Sequence, residues 1–381
     1  MRVVVLGTGM IGNLVVCEIA KSEAVAEVLA VDGLQKNLDQ CVSQANNAKV
    51  KGKLAQLNEV EGLTDVMREA DIAIACLPHS LSFLAVQAAI SAKCHLVDLV
   101  GSQYVEKERL NGAAQDSNVL IVPGCGVAPG IVNALAARGA ELLDEADEVT
   151  MICGGLPRHP KPPLWYQVVF RLESVMKLYT RPALAAENGK IIEFPPLSGL
   201  EDIHFPEPVG ACEAVITDAH SVPHTLKNKV KKIYEKTVRY KGHWTKMGVL
   251  AELGFLDEKT LNIDGIMISP QQVTTALLEP KLKSGSIEDT TVLRVIAKGK
   301  RDGETATFTW EMVDLYDRER NITSMAKTTA FPAVVVADWM ARGKIADQGV
   351  LPIEQLITGE KFHAFMKELK KRGITISFNK N

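Results

Sequence analysis

The chain has 381 residues, enough for two domains with well-buried cores, and its composition, 46% apolar and 23% charged, is that of a globular protein. A net charge of -3 with no like-charge tail excludes the basic balance of a general nucleic-acid binder and points to small-molecule partners. Seven scattered cysteines show no C-x-x-C or Cys/His spacing, so neither a disulfide framework nor a metal site is expected. A strand beginning at residue 2, and no apolar run of about 18 residues, argue for a cytoplasmic protein with no membrane span.

Residues 1–6 read as a short apolar strand that runs into Gly7-Thr8-Gly9-Met10-Ile11-Gly12, with a helix expected from Asn13. In that setting the G-x-G-x-x-G spacing has a physical meaning. Gly7 allows a tight strand-to-helix turn, Gly9 lets the backbone approach a pyrophosphate, and Gly12 lets helix and strand pack closely. A second apolar strand over 28–31 ends in Asp32, about twenty residues on, where a carboxylate meets the ribose of a dinucleotide. Such a carboxylate favours NAD over NADP, because it accepts from a free 2′-hydroxyl and repels a 2′-phosphate.

Strands are expected over 50–57, 71–77, 94–99 and 119–122, alternating with helices that include 34–46 and 59–69. This alternation means a doubly wound parallel sheet of the α/β class, with ligands beyond the carboxyl ends of its strands. Pro78 and His79 follow the fourth strand, residues 98–101 end the fifth and residues 124–130 follow the sixth, so all three segments should line the nicotinamide end of a cleft. Asp98 stands out, since a carboxylate inside His95-Leu96-Val97-Asp98-Leu99-Val100 is costly to bury without a partner. It suits a ligand-binding or catalytic role, or a structural one.

A helix is expected over 126–143, with Pro129 near its first turn. Strands over 149–153, 191–194, 236–240, 292–300 and 305–315, the last two joined by the hairpin signal Asp302-Gly303, describe an inserted α+β domain with a mainly antiparallel sheet. The basic residues between Lys227 and Lys241 read as solvated surface. Arg239 does not: alternation in Thr237-Val238-Arg239-Tyr240 turns it to the same face as Thr237, where a guanidinium can take a carboxylate bidentately. Helical periodicity returns beyond Met325 and again over 360–372. The expected domains are therefore 1–128 with 326–381 for NAD, and 129–325 for substrate binding and dimerisation.

Several blocks together resemble the saccharopine dehydrogenase-like enzymes, and among them lysine 6-dehydrogenases most. They are Gly7 to Gly12, Val97-Asp98-Leu99, Gly126-Val127-Ala128-Pro129-Gly130 with Asn133, Gly154-Gly155-Leu156-Pro157, the run from Lys236 to His243, and Thr328-Thr329-Ala330. The resemblance implies a Rossmann domain completed by C-terminal helices, a homodimer or higher oligomer, and hydride transfer between a nicotinamide cofactor and a carbon bonded to nitrogen in an amino-acid substrate. Carried over by position, Pro78, His79, Thr217, Thr237, Arg239 and His243 fall at substrate-contacting places. Gly7, Gly9, Met10, Ile11, Gly12, Asp32, Leu77, Pro78, Asp98, Leu99 and Gly126 fall at cofactor-contacting ones. Two places depart from the pattern: Gly124-Cys125 before the Gly126 block, and Asp218, His220, Pro223 and His224, which stand where the family has a glycine-rich stretch.

The expected reaction is NAD-dependent oxidation of the lysine side-chain amine to the semialdehyde, with Asp98 or His79 accepting the ammonium proton and Arg239 holding the α-carboxylate. Two alternatives stand beside it. One is a saccharopine or carboxynorspermidine dehydrogenase acting on a secondary amine. The other is a non-catalytic dinucleotide sensor.

Overall fold

The computed structural model describes residues 1–168, 172–283 and 285–381. It divides into two compact units, Met1–Arg138 with Ala326–Ile374, and Gly139–Met325 with Thr375–Asn381. Among the described residues no helix is long and apolar enough to cross a membrane.

Unit 1 opens with β1 (Arg2–Leu6), α1 (Met10–Ile19), β2 (Glu27–Asp32), α2 (Gln35–Ala45), β3 (Val50–Leu54) and α3 (Val60–Met67). It continues with β4 (Ile72–Ala75), α4 (His79–Ala92), β5 (His95–Asp98), α5 (Tyr104–Glu108), α6 (Asn111–Asp116), β6 (Leu120–Val122) and α7 (Ile131–Glu141). The short strands are almost wholly apolar and buried, as a parallel sheet covered on both faces requires.

Unit 2 contains β7 (Glu145–Pro157), α8 (Leu172–Thr180), β8 (Ala183–Glu187), β9 (Lys190–Phe194), β10 (Glu201–Phe205), β11 (Gly210–Thr217) and α9 (Val222–Leu226). Then come β12 (Val230–Tyr240), α10 (His243–Glu252), β13 (Leu261–Ile263), β14 (Ile266–Ile268), α11 (Pro270–Leu282), β15 (Asp289–Arg301) and β16 (Glu304–Leu315). The chain returns through α12 (Ser324–Ala341), β17 (Gly349–Val350), α13 (Ile353–Leu356) and α14 (Gly359–Lys371), and ends in β18 (Ser377–Lys380).

The sheet of unit 1 has the order β17-β6-β5-β4-β1-β2-β3, with every pair parallel. The chain steps outward from β1 through β2 to β3, then crosses to β4 on the other side of β1. That reversal opens the crevice where doubly wound sheets bind ligands. The sheet of unit 2 runs β10-β11-β12-β7-β15-β16-β18, antiparallel throughout except for the parallel pair β12 and β7. One of its faces packs Ile152, Ala214, Val238 and Val292 into an apolar cluster. On the other, Val215 meets a layer built from Leu164, Tyr166, Tyr179, Trp244 and Met247.

The fold departs from the sequence reading in four places. Helix α1 starts at Met10 rather than Asn13, because Asn13 N–H already donates to Gly9 C=O at 2.9 Å and the fingerprint itself forms the first turn. Residues 126–130 form a closed turn rather than a helix, with Gly126 N–H donating to Pro129 C=O and Ile131 N–H to Gly126 C=O, both at 2.9 Å. Strand β12 begins at Val230, so part of the basic run belongs to a long strand, at whose start Lys231 and Lys232 are exposed. The last seven residues, expected with the dinucleotide domain, add β18 to unit 2, where Phe378 packs on Trp310 at 4.9 Å between ring centroids.

The junction of β1 and α1 sets the geometry of the turn. Gly7 has φ +86°, and a Cβ built on Gly12 would lie 1.8 Å from Gly7 O. Substituting Gly12 by Ala must therefore push helix from strand. We expect Gly12→Ala to lose about 1–3 kcal/mol of stability in urea unfolding, with dinucleotide binding weakened in a titration of the folded protein.

Candidate active site

In unit 1 the carboxyl edge of the sheet gathers the fingerprint, Asp32, Leu77 to His79, Asp98, Leu99 and Gly126. A Cβ on Gly9 would meet nothing within 4 Å, so the turn leaves open space above the N-terminus of α1, which has no acidic residue in its first turn. That opening, the backbone N–H groups and the positive end of the helix fit a pyrophosphate. Met10 is exposed and Ile11 buried, consistent with one facing out beside the turn and the other facing the core.

Asp32 stands at the end of β2, and both oxygens are engaged. Oδ2 accepts from Thr8 N–H at 2.7 Å and Thr8 Oγ1 at 3.0 Å, while Oδ1 accepts from Leu34 N–H at 2.9 Å and Asn37 Nδ2 at 3.2 Å. The carboxylate therefore ties the fingerprint to β2 and fixes a negative charge there. Leu77 is buried, Pro78 precedes the first residue of α4, and His79 opens that helix half-buried, with Nδ1 3.3 Å from Ser102 Oγ. Leu99 is half-buried, and its N–H donates to Ala75 C=O at 3.2 Å.

Asp98 has its partners inside the protein. It is fully buried, and its Oδ2 accepts from Ser82 Oγ at 2.5 Å and from Lys107 Nζ at 2.9 Å, while Oδ1 accepts Val100 N–H at 2.9 Å. Lys107 is equally buried and also donates to Val100 C=O at 2.8 Å. A carboxylate held in this way anchors the loop after β5. The need for a buried partner was legible in the sequence, but Lys107, one of many lysines, carried no signal of being that partner.

In unit 2 the site residues lie on one face of the sheet. Register places Thr217 beside Glu235, Val215 beside Thr237 and Glu213 beside Arg239, with Cys153 opposite Thr237 on β7 and Leu293 next in line on β15. Thr217 and Thr237 share a hydrogen bond of 3.0 Å between their hydroxyls. Arg239 is 6% exposed; its guanidinium carbon lies 4.5 Å from the Tyr166 ring centroid and 5.6 Å from that of Trp244. It donates to Val238 C=O at 2.8 Å. Among the described residues Nε has no hydrogen-bond partner and no carboxylate forms an ion pair with this cation.

His243 also departs from expectation. It is fully buried, with Nδ1 2.9 Å from Leu164 C=O and Nε2 2.9 Å from Tyr179 Oη. The carbonyl can only accept, so Nδ1 carries the proton and Nε2 accepts from Tyr179, leaving neither nitrogen for a substrate. His243 holds Tyr179 against Arg239. Glu213 works from below, its Oε1 accepting Trp244 N–H at 2.7 Å and so seating the first turn of α10. Tyr166, Tyr179, Trp244 and Glu235 went unnoticed in the sequence. Glu235 alone had a signal, its two-residue spacing from Thr237, hidden because the strand was expected only from residue 236, whereas β12 begins at Val230.

Residues 3–122 match the saccharopine dehydrogenase NADP binding domain and residues 126–374 the saccharopine dehydrogenase C-terminal domain. The chain belongs to the saccharopine dehydrogenase family. A carboxynorspermidine synthase of Vibrio alginolyticus is 22% identical over 93% of this chain and 92% of its own length. A saccharopine dehydrogenase [NADP(+), L-glutamate-forming] of Schizosaccharomyces pombe is 25% identical over 53% of this chain and 47% of its own. The apo saccharopine dehydrogenase (L-Glu forming) of Saccharomyces cerevisiae shares the fold, with a TM-score of 0.82 at 18% identity, covering 100% of this chain and 99% of that one. The family's dinucleotide-binding domain corresponds to the Rossmann sheet of unit 1.

Two measurements test these assignments. Lys107→Met leaves the Asp98 carboxylate buried without its cation and should cost about 3–5 kcal/mol in unfolding experiments, with the double change Asp98→Asn, Lys107→Met recovering part of the loss. His243 is pushed down to about 3 by burial, and further by the Arg239 charge. The unfolded chain takes up that proton near 6.5, so between those values it binds more protons than the native protein, and stability falls as pH falls. Urea unfolding of the parent and of His243→Gln from pH 7 to pH 4 should show a shallower acid loss in the variant.

Proposed function

We propose that this protein is an NAD-dependent oxidoreductase acting on the CH–NH group of an amino acid. The observation that carries the reading is Arg239, a permanent cation buried against the rings of Tyr166 and Trp244, with an Nε–H that has no partner and no carboxylate in an ion pair with it among the described residues. Burying an unpaired charge is costly, and a substrate carboxylate offsets that cost with a charge-assisted bond to the free Nε–H.

Unit 1 supplies the dinucleotide site: the Gly7 to Gly12 turn for the pyrophosphate, and the fixed charge of Asp32 toward the adenosine ribose. When bound, the nicotinamide supplies the hydride acceptor. The S. pombe relative is named for NADP(+), whereas the Asp32 charge opposes a 2′-phosphate, which supports NAD here.

The chain's own task is to free the nitrogen lone pair. An amine of pKa about 10.4 is neutral at pH 7 at a cost of about 4.6 kcal/mol. With Asp98 committed to Lys107, His79 takes the part of proton acceptor; an ordinary imidazole, at about 6.5, is a base at neutral pH. Loss of hydride from the carbon then leaves an iminium, which water hydrolyses to carbonyl and amine.

L-Lysine, oxidised at its side-chain amine, is the first substrate of this reading. A secondary amine is the second, and the similarity to carboxynorspermidine synthases along nearly the whole chain favours it.

The test is NADH formation at pH 9–10 from NAD with L-lysine and then with saccharopine, each repeated with NADP. With the better substrate, His79→Ala should lower kcat about 100-fold or more. Arg239→Lys, which loses the planar fork, should raise KM about tenfold or more with a smaller effect on kcat. Unchanged turnover in His79→Ala removes it as acceptor, and no turnover on any amine with either nucleotide removes the enzymatic reading.

A further inference from the structure

A buried ion pair is a poor source of stability, because desolvating both charges costs about as much as their attraction returns, and its best-attested use is to select one geometry. Asp98 and Lys107 form such a pair, and both are fully buried. Two stretches of chain are fixed by it. Asp98 Oδ2 accepts from Ser82 Oγ at 2.5 Å, which ties the end of β5 to helix α4. Asp98 Oδ1 accepts Val100 N–H at 2.9 Å while Lys107 donates to Val100 C=O at 2.8 Å, so the loop after β5 is held on both sides of Val100.

The two stretches meet again at one point. His79 lies three residues before Ser82, about one turn of α4 away and on the same side of the helix. Ser102 lies two residues beyond Val100, and its Oγ is 3.3 Å from His79 Nδ1. His79, Ser82, Asp98, Val100 and Ser102 therefore close a ring, with Lys107 bracing it from within. Ser82, Asp98 and Lys107 are fully buried, whereas His79 and Ser102 are half-buried. The ring is anchored inside the protein and reaches the surface at the imidazole and the hydroxyl.

We propose that Asp98, Lys107, Ser82 and Ser102 are positioning residues for His79: the buried pair sets the gap between α4 and the loop, so that Ser102 Oγ accepts the Nδ1 proton and His79 takes the substrate proton through Nε2. This deepens the reading of His79 as proton acceptor and rests on it for its chemical purpose. The partner of one ring nitrogen decides which nitrogen carries the proton. A half-buried side chain at the first turn of a helix also has more than one staggered rotamer open to it. A hydroxyl held at Nδ1 settles both. When Nε2 takes a proton from the ammonium, the amine keeps the electron pair of that N–H bond and the ring becomes imidazolium. Nδ1–H donates to Ser102 Oγ before and after the transfer, so no group has to turn as the charge appears.

Nitrogen-15 NMR of the full chain with labelled histidine reads the ring protonation and needs no turnover. His79 is assigned by the signals lost in His79→Gln. At about pH 8, where an ordinary imidazole is neutral, the parent should show a protonated Nδ1 and an unprotonated Nε2. Ser102→Ala should move His79 to the free-imidazole pattern, in which Nε2 holds the proton, and Ser102→Thr, which keeps the hydroxyl, should restore the parent pattern. Ser82→Ala, which opens the ring away from the imidazole, should move the signals in the same direction as Ser102→Ala. With the better amine substrate both alanine variants should lower kcat about tenfold or more with KM within about threefold, and Ser102→Thr should stay within about threefold of the parent in kcat. A parent proton on Nε2, or ring signals unchanged in either alanine variant, overturns the proposal. The expected ring pattern with full turnover in His79→Ala, or with no turnover on any amine, removes the acceptor and keeps the tether. Loss of turnover in His79→Ala with unchanged ring signals in Ser102→Ala does the reverse.

Discussion

The guanidinium of Arg239 lies over the faces of Tyr166 and Trp244, and much of unit 2 is arranged to keep it there. Tyr179 is held by His243, which is held by the Leu164 carbonyl; Trp244 is held by Glu213 at the first turn of α10. Each link is a buried, directional hydrogen bond that leaves its donor or acceptor stranded if broken. The aromatic rings stabilise the cation through their faces without neutralising it. The result is a rigid positive group with one N–H unanswered, which is what preorganised recognition of a carboxylate requires.

Asp98 and Lys107 show the opposite solution to the same problem. Both are buried charges, yet each completes the other, and Ser82 with the Val100 backbone fills the remaining positions. Such a pair gives the loop after β5 one shape. Comparing the two sites separates ligand-facing groups from structural ones by a physical criterion: whether the protein itself answers the charge. Asp32, with four internal donors, falls nearer to Asp98.

How far the site was legible depended on the range of the interactions involved. The Gly7 to Gly12 fingerprint and the parallel sheet were visible because turn geometry and apolar periodicity are local. Arg239 and Thr237 were visible because a strand's two-residue period puts them on one face. Asp98 was recognised as needing a partner, but which residue supplies it was not legible, since that lysine is nine residues away across a loop. His243 was carried over by its place in a motif, and its bonds to the Leu164 carbonyl and Tyr179 hydroxyl were not legible there. Tyr166, Tyr179 and Trp244 come from different segments and share no pattern that a linear reading detects.

What the sequence by itself determined is the class of fold and the kind of chemistry, because strand and helix periods, glycine spacing and the carboxylate after β2 are properties of short segments. The tertiary structure alone decided which charges are spent inside the protein and which are left for a ligand. That distinction depends on desolvation and on who stands within about 3 Å of each buried group, and those neighbours are set by packing between residues far apart along the chain.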